Sequence, residues 1–350
     1  MTASDIHPAG AGGTGRRRGR LASRAIAVAG FLLRVLLVAW AGMSIHFSNL
    51  PWPWLRTTLA IAFVVFGILT LWVRDSPRSR VAFGVLFCVV AAWIFSIAPS
   101  HERDWIEEDA VLPRAFIDGD RVRIAGVRDF TYRSPLDFDV RHLEREVSVS
   151  SLNSVDFYVS YWMPGPVAHT FVSFNFDDAP PVSISIEARF EKGEGFAPVA
   201  SLFRQFELIY VVGEERDIVG VRSNHRKEDV YLYRLQVPPE AARALFLVYM
   251  ERINELAERP EWYHLLKSNC TLNIVRYANL VGRRGRVDIR HILNGWADRY
   301  LYRAGFLVPG LPFEALRQQS WINDAAQAAG DGADFPQRIR AALPGMPAAR

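Results

Sequence analysis

Three apolar, helix-length runs precede a stretch in which strand patterns give way to helical ones. This order predicts an α+β protein with three N-terminal transmembrane helices followed by one extracytoplasmic domain. At 350 residues, 50% hydrophobic and 22% charged, the chain is too apolar to be disordered and long enough for a sizeable core. Its two cysteines exclude a disulfide framework.

Residues 1–24, rich in Gly, Ala and Arg, read as a disordered basic tail. The apolar runs are Ala25–Phe47, Leu55–Val73 and Val81–Ala98. Each has about the 17 to 25 residues that an α-helix needs to cross roughly 30 Å of hydrocarbon. Arg34 sits near the middle of the first run, where a charge costs about 2.5–3.5 kcal/mol, against many Leu and Val neighbours. A cleaved signal peptide is the alternative for this run, but the run exceeds an h-region and no small-residue cleavage site precedes Pro51. Arg16, Arg17, Arg18, Arg20 and Arg24 lie before the first run, and Arg74, Arg78 and Arg80 between the second and third. Lys/Arg bias puts both segments in the cytoplasm, with Trp52 and Trp54 at the opposite interface and only Arg56 against the rule. Three crossings then leave everything after Ala98 outside, which in a bacterium, with the spans in the inner membrane, is the periplasmic face.

Residues 101–310 read as one domain without a repeat or a low-complexity linker. Strands are expected at Arg121–Phe130, Leu152–Trp162, Phe206–Gly213 and Asp229–Leu235. Ala168–Phe176 and Val182–Phe190 flank the turn DDAPP and form a β-hairpin. Pro238–Ala257 has helical spacing, and a second helix opens near Asn269 and runs through Leu280 to Gly282. The tail Leu311–Arg350 reads as an extended appendage with one short helix.

Cys88 lies inside the third run, which leaves Cys270 as the one thiol outside the membrane. Such a cysteine pairs between chains, stays buried and inert, or is kept as a reactive thiol. Cys270 stands where the polar stretch Lys267–Asn269 gives way to an apolar helical pattern. At a helix N-terminus, unpaired N–H groups and the helix dipole stabilise a thiolate and can bind an oxyanion.

A nucleophile also needs a base. His7 is in the tail and His46 in the first run, while His101, His142, His225, His264 and His291 have polar surroundings that suit solvated side chains. His169 opens a strand. With the turn centred on Asp178, His169 faces Glu187, Phe171 faces Ser185 and Ser173 faces Ser183. Thr170, Val172 and Phe174 then share the other face with Ile186, Ile184 and Val182. A carboxylate beside an imidazole fixes its tautomer and raises its basicity; a surface cross-strand pair would show the same pattern. Glu207 and Tyr210 lie in an apolar strand, where polar groups need partners, and either of them or Arg189 is a candidate to order a pocket around the thiol. The charges Glu214–Asp217 suit a solvated turn.

There is no HExxH, CxxC, P-loop or GxGxxG, so neither a metal nor a cofactor is expected. The basic stretch Gly282–His291 suits a solvated loop or contact with anionic headgroups rather than nucleic acid.

The segments VRIAGVRDFTYRS, VDFYVSYW, VAHTFVSFNF, ISIEAR, FRQFELIYVVGEERD, VYLYRL and SNCTLN follow one another between about Arg121 and Phe306. Together they resemble the bacterial family of the Lnb N-terminal periplasmic domain, named after the lipoprotein N-acylation transacylase. That family is itself similar to circularly permuted papain-like enzymes, in which a histidine strand precedes an Asn-Cys helix start. The resemblance implies Cys270 as nucleophile, His169 as general base, Glu187 as orienting group and Asn269 in support. It implies an acyltransferase or hydrolase working on membrane lipids or lipoproteins. A cell-wall peptidase or amidase, and a binding module that keeps the fold without catalysis, are the alternatives.

Overall fold

The computed structural model of the chain describes residues 13–282 and 288–346. It divides into two compact units, Met1–Ala98 and Pro99–Arg350.

The first unit holds α1 (Gly13–His46), α2 (Pro53–Ile68), which runs on through a π-helical turn over Leu69–Val73, and α3 (Pro77–Ser96). Prolines at their first positions start α2 and α3, and a Ser76–Ser79 capping box closes the N-terminus of α3. The segments Leu21–His46, Pro53–Val73 and Pro77–Ser96 are each long and apolar enough to cross a membrane. Val38, Ile45, Phe63, Phe83 and Ile94 pack inward, while Phe31, Leu36, Ile61, Val85, Val89 and Phe95 point outward and need an apolar medium. A Cβ on Gly42 or Gly67 would fall 2.8 Å from Val64 or Val38, so glycine sets how closely α1 and α2 approach. Arg34 has a partner: its Nη1 donates to the carbonyl of Leu71 at 2.8 Å, and Asp75 lies 3.7 Å away. Carbonyls in the last helical turn lack an intrahelical donor, and Arg34 supplies one. Cys88 is exposed on the outer face of α3.

One boundary differs from expectation. The helix reaches back to Gly13, so part of the expected disordered tail 1–24 is helical, because Arg and Leu propagate a helix once the apolar span has nucleated it. Residues 1–12 of that tail, and residues 283–287 of the basic stretch Gly282–His291, lie outside the described residues.

The second unit is mixed α/β. Its strands are β1 (Arg114–Asp118), β2 (Arg121–Arg128), β3 (Thr131–Ser134), β4 (Asp137–Asp139), β5 (His142–Ser148), β6 (Leu152–Tyr161), β7 (His169–Phe176), β8 (Val182–Arg189), β9 (Glu207–Gly213) and β10 (Asp229–Arg234). Its helices are α4 (Glu215–Ile218), α5 (Pro239–Glu258), α6 (Cys270–Leu280), α7 (Ala297–Arg303), α8 (Phe313–Gln319), α9 (Asn323–Ala329) and α10 (Phe335–Arg338). The main sheet runs β1-β2-β9-β8-β7-β6-β10 with β5 also on β2, and β3 and β4 form a separate ribbon.

The register of β7 on β8 pairs Phe171 with Ser185 and Ser173 with Ser183, as the alternation predicts. On one face Phe174 and Phe176 pack edge-on against Phe246 of α5. On the other, Phe171, Ile209 and Val211 join a core with Ile218, Ile322, Ala326, Phe335 and Ile339. The segment after Leu311 is therefore no appendage: α9 and α10 complete this core, and Arg340 reaches inward to pair with the buried Asp156 and Glu215. Its helices are too short to show a long apolar period, and their burial comes from the sheet they cover. β1 and β5 escaped notice for a similar reason, since five charged side chains among their twelve residues mask the alternation and pairing with β2 creates them.

Candidate active site

The site gathers at one end of the sheet, where β7 begins, β8 ends and α6 starts. Asn269 caps α6, its Oδ1 accepting from the Leu272 N–H at 2.8 Å and its Nδ2 donating to the Leu265 carbonyl at 2.7 Å. It fixes where the helix begins and so where Cys270 stands, as the first helical residue.

Cys270 is 1% exposed and forms the floor of a cleft of about 310 Å³ that His169, Glu187 and Arg222 also line. Burial alone would push the thiol up. The positive charge and hydrogen bond of His169, with hydrogen bonds from Thr170, outweigh it and bring the thiol down to about 6.

The imidazole is oriented through a serine. Nε2 of His169 lies 2.6 Å from Oγ of Ser185, whereas Glu187 Oε1 is 3.8 Å away, beyond hydrogen-bond range. Ser185 also bonds to Glu187. The expected direct His169–Glu187 contact is thus relayed, because Ser185 sits diagonally from His169 on the same face and reaches the ring first. Glu187 is held in turn by Arg222, whose Nη2 donates to it at 2.7 Å. Against the penalty of burial, Arg222 and then His169 keep this carboxylate ionised, well below the usual range. The donor order follows: Ser185 donates to the carboxylate, Nε2–H donates to Ser185, and Nδ1 keeps the lone pair that can accept the thiol proton.

Asn294 completes the site. Its Nδ2 donates to Sγ of Cys270 at 3.3 Å, and its Oδ1 accepts from the Ala168 N–H at 2.9 Å, which fixes the amide orientation. A donor held against the sulfur is placed to bind an oxyanion formed there. Asn294, Arg222 and Ser185 were not singled out by sequence reasoning. Only Ser185 had a signal, its place in the hairpin register beside His169.

The other expected supports lie elsewhere. Arg189 points away from the thiol, donating to the carbonyls of Asp109 and Ala110 and stacking over Trp105 at 4.0 Å. Glu207 accepts from Ser100 N–H and pairs with Arg103 at 2.7 Å. Tyr210 lies on the opposite face, paired with Ile186 in the sheet, and shares a hydrogen bond with Tyr277 of α6. Strand parity sends Tyr210 to the helix side, and the first two pin the segment leading into β1. Among the described residues no group of His, Cys, Asp and Glu is arranged to hold a metal ion.

A buried thiol beside a strand-borne imidazole, on a mixed α/β unit that follows three membrane-length helices, defines a membrane-associated protein with a cysteine–histidine site. Residues 139–295 match the model of the Lnb N-terminal periplasmic domain family. The match spans His169, Ser185, Glu187, Arg222, Cys270 and Asn294 and ends before α7. No curated protein and no solved structure matches the chain.

Proposed function

We propose that this protein is a membrane-anchored thiol acyltransferase or hydrolase acting on an ester of a lipid or lipoprotein at the periplasmic face of the inner membrane. The observation that carries this reading is that Glu187, His169 and Cys270 line one cleft, with Ser185 bonded to the imidazole behind it and the thiol lowered to about 6. Nδ1 of His169 takes the proton of Cys270, and Sγ attacks the ester carbonyl. The Asn294 amide, with the N–H groups that open α6, stabilises the oxyanion. The imidazolium returns its proton to the leaving alkoxide, and an amine or water then takes the acyl group. A histidine strand that precedes a cysteine helix start also supports a permuted papain-like arrangement. The arginines flanking the first span and between the second and third support a cytoplasmic N-terminus.

The test is mass spectrometry of lipids and lipoprotein N-termini in cells that carry the wild-type chain, Cys270→Ala, or no copy. The expected result is one altered acyl pattern shared by the last two. Unchanged acylation in the Cys270→Ala cells would overturn the reading.

A further inference from the structure

Beside the thiol cleft lies a second pocket of about 500 Å³, and the two share three chain segments. Trp162 lines both; Arg226 and Glu228 face the cleft while Lys227 and Asp229 face the second pocket; and Asn294 faces the cleft while Gly295 and Trp296 face its neighbour. The shared wall is tight, since a Cβ on Gly295 would meet backbone atoms of Pro166 at 2.8 Å.

The second pocket has a built cation. Arg317 of α8 stacks on Tyr231 at 4.3 Å and on Tyr161 at 5.2 Å, and its Nε donates to Asp298 at 3.2 Å. Asp298, 2% exposed, also accepts from the Tyr233 hydroxyl and the Arg299 N–H. A guanidinium clamped by two rings, a buried carboxylate and a hydrogen bond with the Tyr161 hydroxyl is held in a fixed plane, and a planar fork suits phosphate or carboxylate oxygens. The carboxylates of the pocket are engaged: Asp298 as described, Glu314 with Arg299 at 2.5 Å, and Asp229 with the Trp321 indole at 3.1 Å. Lys227, whose ammonium has no partner among the described residues, is held at φ +57°, a strained conformation for a side-chain-bearing residue. Arg317 is thus paired with Asp298 and Arg299 with Glu314, which leaves the Lys227 ammonium and the Asp229 carboxylate as the charges without an ion-pair partner among the described residues, and α8 lies outside the family match.

We propose that this pocket binds the phosphodiester headgroup of a glycerophospholipid whose acyl ester lies against Cys270. The inference rests on the acyl-transfer reading and names its donor. A phosphodiester offers several oxygens to a fork and an ammonium together, and glycerol sets it a few bonds from the ester. The step balances: the Sγ–C bond forms, the ester C–O bond breaks, His169 returns the thiol proton to the glycerol oxygen, and acyl-Cys270 and a lysophospholipid result.

The experiment uses the full chain in micelles of an uncharged detergent, with phosphatidylglycerol or diacylglycerol of the same acyl chains, and follows acyl-Cys270 by intact mass. The wild type is expected to acylate at least tenfold faster from phosphatidylglycerol. Arg317→Lys, which keeps the charge but loses the fork, should cut that preference about tenfold, and Lys227→Gln about threefold. A second arm measures equilibrium dialysis of glycerophosphoglycerol and of inorganic phosphate on Cys270→Ala, with and without Arg317→Lys. Headgroup binding that weakens at least tenfold with Arg317→Lys supports the site. A preference that survives Arg317→Lys, or inorganic phosphate binding as tightly as the headgroup, overturns it. No acyl-Cys270 from either lipid, with headgroup binding intact, defeats the acyl-transfer reading and leaves the headgroup site standing.

Discussion

The thiol cleft and the clasp that holds Ser100–Ala110 sit on adjacent strands at one end of the sheet, and they treat buried charge in opposite ways. In the cleft, Glu187 on β8 meets the guanidinium of Arg222 at 2.7 Å and the hydroxyl of Ser185, and it stays ionised. In the clasp, Glu207 on β9 is 1% exposed and has Arg103 at 2.7 Å, yet burial pushes it up to about 7. Its second oxygen has no partner among the described residues, and Arg103 is shared with Glu191. Asp109 likewise rises to about 7, from burial and then from the charge of Glu187. Arg189 spends its donors on the backbone carbonyls of Asp109 and Ala110 rather than on the carboxylate. Both clasp carboxylates have donors, but those of Glu207 crowd on one oxygen and Asp109 takes only the neutral Phe190 N–H, whereas Glu187 has a guanidinium and a hydroxyl to itself; that difference decides whether burial wins.

Four changes test that contrast, from the largest expected effect down. Arg222→Met should strand the charge of Glu187 and cost about 3 kcal/mol in chemical denaturation of the full chain, with most of it recovered in the double variant with Glu187→Gln. Independent, additive losses would break the pairing. His169→Ala, which leaves burial to push the thiol up, should move the pH profile of Cys270 alkylation by iodoacetamide from an inflection at about 6 to that of an ordinary cysteine near about 8.5 or above. Because the thiolate fraction rises with pH, labelling at neutral pH should then drop about 30-fold or more; an unmoved inflection would mean the imidazole does not govern the thiol.

The clasp should respond to pH with the opposite sign to an ordinary ion pair. Folded Glu207 keeps its proton up to about 7, whereas its unperturbed value is 4.5, so the unfolded chain releases the proton first. Stability is therefore present in full below 4.5 and falls as pH rises through about 7. Glu207→Gln should flatten this fall in thermal melts, and a melting temperature that instead climbs across the window would show that Glu207 ionises in place. Smallest of the four, Ser185→Ala should slow alkylation a few-fold, in line with about 1 kcal/mol for one hydrogen bond. If the Ser185→Ala loss matched that of His169→Ala, the serine rather than the imidazole would dominate.

Particular residues show how far the sequence carries. Alternation through AHTFVSFNF and VSISIEARF set the hairpin register, and with it the face shared by His169, Ser185 and Glu187. The polar-to-apolar change at Ser268–Cys270 located the start of α6. Asn294 left no such trace, because its contact with Cys270 joins residues 24 apart across a stretch without periodicity. Arg222, 3% exposed, follows the charges Glu214–Asp217 that read as a solvated turn, and within that run Glu215 and Asp217 are themselves buried. Glu207 and Tyr210 read as polar groups in need of partners; Glu207 finds them in the segment entering β1 and Tyr210 in Tyr277 of α6.

The sequence by itself determined the division into span-length helices and a mixed α/β unit, the hairpin register, and the thiol at a helix start. These rest on short-range causes: helix length against bilayer thickness, side-chain alternation along a strand, and capping within one turn. Tertiary structure alone decided that Ser185 stands between His169 and Glu187, that Arg222 holds the carboxylate ionised, that Asn294 reaches the sulfur, and that α8–α10 complete the domain. Each of these depends on which distant segments meet in a desolvated space, and charge and hydrogen bonding are settled only there.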